Sequence, residues 1–401
     1  MDGTTRDSSD QGGWAGSGGV ASRSGWGAAP VAGGPHAAGG PYAAGGPYAV
    51  GGHREVRYRP SQWPGPFAVV GGRLATGVID ITDDLAALDR GGFWAVVVDF
   101  EGTARCVRFG EVRPAPPLAA LAGRPWRGPP RGAWTSSLDS AGYTQGVRRI
   151  RAEIAAGEVY QVNLCRVQSV PLADDAGEAV AALAAALARD NPAPYAAVMY
   201  VPEADIRLAS ASPELFLSRR ADVVRSRPIK GTGRVATDLW DKDIAENIMI
   251  VDLVRNDLGR VARIGGVSVQ RLCAVEAHPG LVHLVSTVQA QLRPDVGWPE
   301  LFAASFPPGS VSGAPKSSAL RVIGELEPAA RGPYCGAIGW VDAEKGLGEL
   351  AVGIRTFWFT AGRLHFGSGA GITWGSDPWA EWREAELKAE RLLRIASSTS
   401  E

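Results

Sequence analysis

Along the chain the apolar positions fall into short runs broken by glycine. From Trp63 onward FAVVGGRLATGVID, FWAVVVDFEG and ARCVRFGEVR are rich in branched and aromatic residues with glycine at the breaks, and they predict an antiparallel opening sheet. Further on, SAGYTQGVRRIRAEIAAG and GEAVAALAAALARD read as helices, and YAAVMYV, IRLASASPELFLSRR and RLHFGSGAG as strands. Neighbouring strands often follow one another with no helix between them. That order predicts an α+β fold, with antiparallel β-sheets packed as a sandwich and helices outside, over a parallel doubly wound sheet.

Two of the predicted helices carry acids in a helical register. In DKDIAENIMIVDLVRNDLGRV, Ile244, Ile248, Val251 and Leu258 form the apolar stripe, Gly259 stops the helix, and Asp243 and Glu246 are an i, i+3 acid pair. In WAEWREAELKAERLL, Glu381, Glu384 and Lys388 share one face with Ala385 and Leu392. If that face packs inward, its close like charges need a cation, and a hard divalent ion such as Mg²⁺ suits them. The alternative is a solvated face laced with i, i+4 ion pairs. His283, within LVHLVSTV, alternates with apolar residues as a half-buried position would.

Composition narrows the function classes. The 401 residues hold 41 Lys and Arg against 42 Asp and Glu, so no global field draws the chain to nucleic acid or an anionic membrane. Hydrophobic residues make up 45% and charged residues 21%, enough apolar material for a sizeable core. Cys106, Cys165, Cys273 and Cys335 are far apart with no CxxC pair, as expected of reduced core cysteines. With no apolar leader and no apolar run long enough to span a bilayer, a cytoplasmic location is expected.

Residues 1–60 are dominated by Gly, Ala, Ser and Pro, with GGPHAA, GGPYAA and GGPYAV in sequence, and a disordered tail is expected there. Tyr42 and Tyr48 are its candidate contact points. A short N-terminal β subdomain over 61–130, ending at GRPWRGPPRG, and a main domain over 131–401 complete the expected organisation.

Three short motifs carry candidate chemistry. Lys230, in RPIKGTGRV, is expected in a tight turn. GSVSGAPKS lacks the glycine that a Walker A loop needs before its lysine, because Pro315 stands there. GSGAG follows a strand like a dinucleotide fingerprint, yet too little chain follows for a complete βαβ unit. Both are expected to be loops whose N–H groups could hold an anion such as a carboxylate.

Taken together, GEVYQVNLCR, NPAPY, ASPELFL, RPIKGT, AENIMIVDLVRNDLGRV, FPPGSVSGAPKSSALRVIGELEP, RGPYCGAIGW, AVGIRTFWF and GSGAGIT, in that order over about 140–395, resemble the chorismate-utilising enzymes. These are the synthase subunits that make anthranilate, aminodeoxychorismate, isochorismate or salicylate. The resemblance implies an anthranilate synthase component I-like fold and makes 131–401 a chorismate-binding catalytic domain. It implies a Mg²⁺ site at Glu246 and Glu384 with Glu381 behind. Arg355 and Tyr334 match the residues that hold the ring carboxylate. Lys388, Ser310 and the backbone of Gly369 and Gly371 match the cradle of the enolpyruvyl carboxylate, and Thr232 falls among the substrate-binding residues.

Two positions bear on the reaction. Members of the family that add water carry a lysine base where this chain has Gln161, which points to ammonia as nucleophile. The PIKGT form at Lys230 is similar to aminodeoxychorismate synthase component I, whereas anthranilate synthases, the nearest alternative, typically read PIAGT. The resemblance implies that Lys230 adds at C2 of chorismate while Glu214 protonates the leaving 4-hydroxyl, that ammonia then enters at C4, and that His283 orients the ring. The ammonia would come from a separate glutamine amidotransferase subunit. A catalytically inactive scaffold subunit is the alternative of another class. It would have lost polar site residues, and none of those named is missing. The match weakens in the N-terminal third, where DFEG (99–102) stands in place of an LES-type element of a tryptophan pocket. NPAPY is then expected to be a structural turn.

Overall fold

The computed structural model describes residues 65–397, apart from 173–175, 234, 240 and 279–280 and the side chains of 232, 241, 278 and 281. The repeats with Tyr42 and Tyr48, and the side chain of Thr232, lie outside the described residues.

The opening runs form β1 (Phe67–Val70), β2 (Arg73–Thr82), β3 (Phe93–Val98) and β4 (Ala104–Pro114). After β5 (Thr135–Ser136) come α1 (Ser140–Ala155), β6 (Gln161–Pro171), α2 (Gly177–Asp190), β7 (Tyr195–Val201), β8 (Ile206–Ser212) and β9 (Leu215–Arg220). Then follow β10 (Val223–Arg227), β11 (Ile229–Gly233), α3 (Asp241–Gly259), β12 (Ala262–His278), β13 (Leu281–Leu292) and α4 (Trp298–Ser305). The chain closes with β14 (Gly313–Ala314), α5 (Lys316–Leu326), β15 (Ala337–Asp342), β16 (Leu347–Val352), β17 (Thr356–Thr360), β18 (Arg363–Ile372) and α6 (Pro378–Ala396).

Among the described residues every strand pairing is antiparallel, and helices flank the sheet, as the succession of strands without crossover helices predicts. The opening strands do not stand apart. β1 pairs with β7 and β3 with β15, so strands within 61–130 share hydrogen bonds with the main body. The GRPWRGPPRG stretch also reaches across the chain: Trp126 Nε1 donates to Ala396 O at 3.0 Å, at the end of α6.

Local signals explain the helices nearest the site. Asp139 caps α1 by accepting from Gly142 N at 2.8 Å, and Tyr143, Val147 and Ile150 bury one stripe. Asp377 caps α6 in the same way, with Pro378 in its first turn. In α3 the C-terminal half of the expected stripe is buried, at Val251 and Leu258, but Ile244 and Ile248 are 39% and 42% exposed. The buried face there runs through Asn247, Ile250, Val251 and Val254 instead. Tertiary contact sets this phase: Asn247 Nδ2 donates to Leu284 O at 3.1 Å and Asn247 Oδ1 accepts from Ser286, which rolls a polar residue inward and turns Ile248 out.

The four cysteines are free, three of them buried. Among the described residues no helix is long and apolar enough to cross a membrane.

One buried charge ties the layers together. Arg331 is 1% exposed, pairs with both oxygens of Glu327 at 2.7 and 2.8 Å, donates to Asn163 O and Val311 O, and lies 4.1 Å over the Phe100 ring. Glu101 of DFEG caps the same turn through Arg331 N at 2.8 Å and Gly332 N at 3.2 Å. Arg331→Ala leaves Glu327 as a buried uncompensated charge and should cost about 3–5 kcal/mol of stability. Denaturant unfolding followed by circular dichroism checks this, and a loss below about 1 kcal/mol would show that the pair contributes little.

Candidate active site

Lys230 lies in β11, not in a tight turn. The register between β11 and β13 slips between Ile229 and Thr232, and Gly231 takes a φ of 81°, so the strand bulges at the lysine. A bulge re-aims the side chain beside it, which is why Pro-Ile-Lys-Gly reads locally as a turn. A Cβ on Gly231 would also come within 2.8 Å of Asp243 Cβ. Lys230 Nζ donates to Ser310 O at 3.1 Å. Burial of the ammonium holds its pKa below the usual lysine value, against the pull of Glu246 and Glu214 and with help from Lys388.

Glu214 follows the end of β8 and is 4% exposed. Its desolvation raises its pKa to about 7, although a hydrogen bond from Ser310, the Lys230 charge, the Ile229 N–H and Arg355 all pull it down. Ser310 therefore joins the pair, with its carbonyl on the lysine and its hydroxyl on the glutamate. The turn at 309–311 that carries it is pressed against the start of β6, where Gly313 pairs with Val162 and Ala314 with Gln161.

GSGAG is not a loop. It lies inside β18, which pairs with β6 from Arg363 to Ile372. Opposite Gly367, Gly369 and Gly371 stand Val167, Cys165 and Asn163, whose N–H groups go elsewhere: to Ser137 Oγ, Glu327 Oε1 and Ser312 O. These are thus the non-hydrogen-bonded pairs of the ladder, and the three glycines turn their own N–H and C=O groups away from β6. The Gly369 carbonyl, 3.5 Å from Lys388 Nζ, points to that side. The glycines also permit close approach. A Cβ on Gly371 would overlap Gln161 Nε2 and lie 3.4 Å from Lys230 Nζ, and one on Gly367 would overlap the Tyr334 ring.

Gln161 is buried, and its Oε1 has no hydrogen-bond partner among the described residues. An unpaired buried acceptor is costly unless a ligand N–H or O–H meets it. Arg355 sits between β16 and β17 in a left-handed conformation, φ 54°; burial lowers its pKa, and its charge reaches Glu214. Tyr334 is buried with its hydroxyl 3.7 Å from Cys165 Sγ. His283 is buried in β13 opposite Thr232 and Glu276.

The three candidate metal ligands stand on two helices, Glu246 on α3 and Glu381 with Glu384 on α6. Glu381 is buried and accepts from Ser376 Oγ at 2.5 Å; burial raises its pKa, with the Glu384 charge adding to the effect. Glu384, by contrast, is exposed and pairs with Lys388 at 2.6 Å. Burial would raise its pKa, but Lys388, Lys242 and Lys230 together bring it below the usual value. The α6 face is therefore divided, with Glu381 on the buried stripe and Glu384–Lys388 an i, i+4 ion pair at its edge.

Lys242 Nζ stands between Glu246 and Glu381, 3.7 and 3.6 Å from their oxygens. The donor set is all carboxylate oxygen, which suits a hard divalent cation. No group of three His, Cys, Asp or Glu among the described residues is close enough to hold an ion as it stands. The donor chemistry fits Mg²⁺, and the present spacing is that of an ammonium.

Sequence reasoning passed over Lys242, although its i, i+4 relation to Glu246 was a legible ion-pair signal. It also missed Arg331 and Glu327, whose only signal is their spacing of four.

The family model for chorismate binding enzymes matches residues 120–394. The chain belongs to that family. Among curated relatives, anthranilate synthase component 1 of Streptomyces coelicolor is 38% identical over 311 residues, covering 73% of this chain and 60% of the relative. Aminodeoxychorismate synthase component 1 of Bacillus subtilis is 35% identical over 296 residues, covering 71% and 62%. The chain thus spans about three fifths of the length of these relatives.

Solved structures agree on the fold. Anthranilate synthase component I of Streptococcus pneumoniae superposes with a TM-score of 0.67 at 25% identity, covering 82% of this chain and 90% of that one. The menaquinone-specific isochorismate synthase of Escherichia coli gives 0.70 at 20% identity, covering 86% and 92%, and bears on the fold alone.

Proposed function

We propose that this protein aminates chorismate as an aminodeoxychorismate synthase component I, forming 4-amino-4-deoxychorismate with ammonia from a separate glutamine amidotransferase subunit. The meeting of Lys230 and Glu214 around Ser310 carries the reading, because burial favours an uncharged amine on one and a protonated carboxyl on the other. These are the states that a nucleophile and a general acid require.

In this mechanism the Lys230 Nζ lone pair forms a bond to C2, the ring double bonds shift, and the C4–O bond breaks. Glu214 gives its proton to the departing hydroxyl, which leaves as water. Ammonia, met by the unpaired Gln161 Oε1, adds at C4, the double bonds shift back, and the C2–N bond to Lys230 breaks. The enolpyruvyl group is retained. The outward-facing N–H groups of Gly369 and Gly371, with Lys388, receive one carboxylate, and Arg355 with Tyr334 the other. Glu246, Glu384 and Glu381 would hold Mg²⁺, which supplies charge neutralisation for a substrate carboxylate.

A second reading, anthranilate synthesis by direct attack of ammonia at C2, has its own support. The Streptomyces coelicolor anthranilate synthase component aligns over 311 residues, more than the 296 and 278 of the Bacillus subtilis and Klebsiella aerogenes aminodeoxychorismate synthase components. Incubation with chorismate, Mg²⁺ and ammonium, with products separated and weighed by mass spectrometry, tests both. Retention of the enolpyruvyl group supports the first, and its loss as pyruvate supports the second.

The metal assignment makes its own prediction. EDTA treatment followed by gel filtration into metal-free buffer should lower turnover by about 10²-fold or more, and Mg²⁺ should restore it. Glu246→Gln should show the same loss without restoration. Full activity of the stripped protein would remove the metal from the mechanism.

A further inference from the structure

Two of the three proposed metal ligands, Glu246 and Glu381, already flank a cation. Glu246 and Glu381 come from α3 and α6, with side chains 16% and 5% exposed, and Lys242 Nζ lies within 3.7 Å of an oxygen on each. Two carboxylates so withdrawn from water need a positive charge between them. The other nearby lysines are otherwise engaged: Lys388 with Glu384 at 2.6 Å, and Lys230 with Ser310 O at 3.1 Å. The Lys242 side chain, moreover, is 52% exposed. It can leave the carboxylates for water by rotation about its own flexible stem, with no backbone movement.

We propose that Lys242 is an intramolecular competitor for the divalent cation: its ammonium holds Glu246 and Glu381 together in the metal-free protein and withdraws when the ion enters. The spacing argues for occupancy of one place by two alternatives. Mg²⁺ demands oxygens at about 2.0–2.1 Å, and an ammonium holding two carboxylates at 3.6 and 3.7 Å leaves no room for a second cation between the same atoms. Tethered one helical turn from Glu246, the ammonium is always present at high local concentration, so it weakens metal binding by mass action. It also keeps α3 and α6 joined when no metal is bound.

The inference rests on the metal reading above, and its test separates the two. Mn²⁺ binding to the full chain, followed by electron paramagnetic resonance of the free ion, gives Kd without reference to turnover. Lys242→Gln should bind Mn²⁺ about tenfold more tightly than the parent. It should also unfold at lower temperature without metal and gain more in Tm than the parent on adding Mg²⁺. Lys242→Arg, which keeps the charge, should stay within about threefold of the parent. Equal Kd values for the parent and Lys242→Gln would overturn the competition while leaving the metal site standing. Absence of saturable Mn²⁺ binding in parent and variant alike would overturn both.

Discussion

Lys230→Ala should lower formation of 4-amino-4-deoxychorismate by at least about 10³-fold with ammonium as nitrogen source, while chorismate still binds. An ordinary lysine is uncharged in only about one molecule in a thousand at pH 7.4, so a lysine nucleophile depends on an environment that releases its proton. Burial of the Lys230 ammonium supplies that environment. With the amine gone, the groups proposed to receive the carboxylates, Arg355, Lys388 and the β18 glycines, are untouched. Residual amination must then come from direct attack at C2, which shifts the remaining product toward anthranilate. A quantitative product profile decides the matter: a parent-like rate and product in Lys230→Ala would end the nucleophile assignment.

Glu214→Gln should cost about 10²–10⁴-fold in kcat, the usual contribution of a positioned general acid, because an amide cannot protonate the leaving hydroxyl. The pH profile supplies the sharper check. The reacting pair must hold one proton in total, on Glu214 and not on Lys230. Activity is therefore lost on the acid side, where two protons are bound, and on the alkaline side, where none is. At fixed free ammonia, kcat/KM of the parent should trace a bell with one limb near 7, set by the raised Glu214 pKa, and Glu214→Gln should lack that limb. The stability consequence has a definite sign. Between the ordinary value of 4.5 and about 7 the folded chain keeps a proton that the unfolded chain has released, so the Glu214 contribution to stability falls as pH rises through that window. Glu214→Gln should flatten this dependence. An unchanged bell in the variant would assign the limb to another group.

Gly231 stands between the Lys230 bulge and Asp243 of α3. Its φ of 81° and the 2.8 Å approach to Asp243 mean that Gly231→Ala strains the bulge that aims Lys230, and kcat should fall with little change in the far-ultraviolet circular dichroism.

Much of the architecture is written in the order of residues. Runs such as FWAVVVDF, bounded by glycine, and YAAVMYV, bounded by Pro194 and Pro202, determine strands at Phe93–Val98 and Tyr195–Val201, because branching at Cβ and breaker residues are local properties. Asp139 before an apolar helical stripe determines where α1 begins, and the nine ordered motifs determine the family. Three matters were decided only in three dimensions. Pro-Ile-Lys-Gly has the composition of a turn, but pairing with β13 drew it into a strand and left a bulge, since ladder hydrogen bonds outweigh local turn preference. GSGAG has the composition of a loop, but the close approach of β6, the Tyr334 ring and the Gln161 amide leaves no room for side chains there, so it became a strand whose Gly369 and Gly371 N–H groups turn away from β6. The phase of α3 followed Asn247 into β13 instead of Ile244 and Ile248 into the core, because a buried amide with its partners met outweighs two isoleucines left at the surface. The charge constellation depended on the same docking. Spacing could set Glu381 beside Glu384 on one helix, but only the approach of α3 to α6 brought Glu246 and the Lys242 ammonium to them, and distances between separate helices have no local signature in a chain.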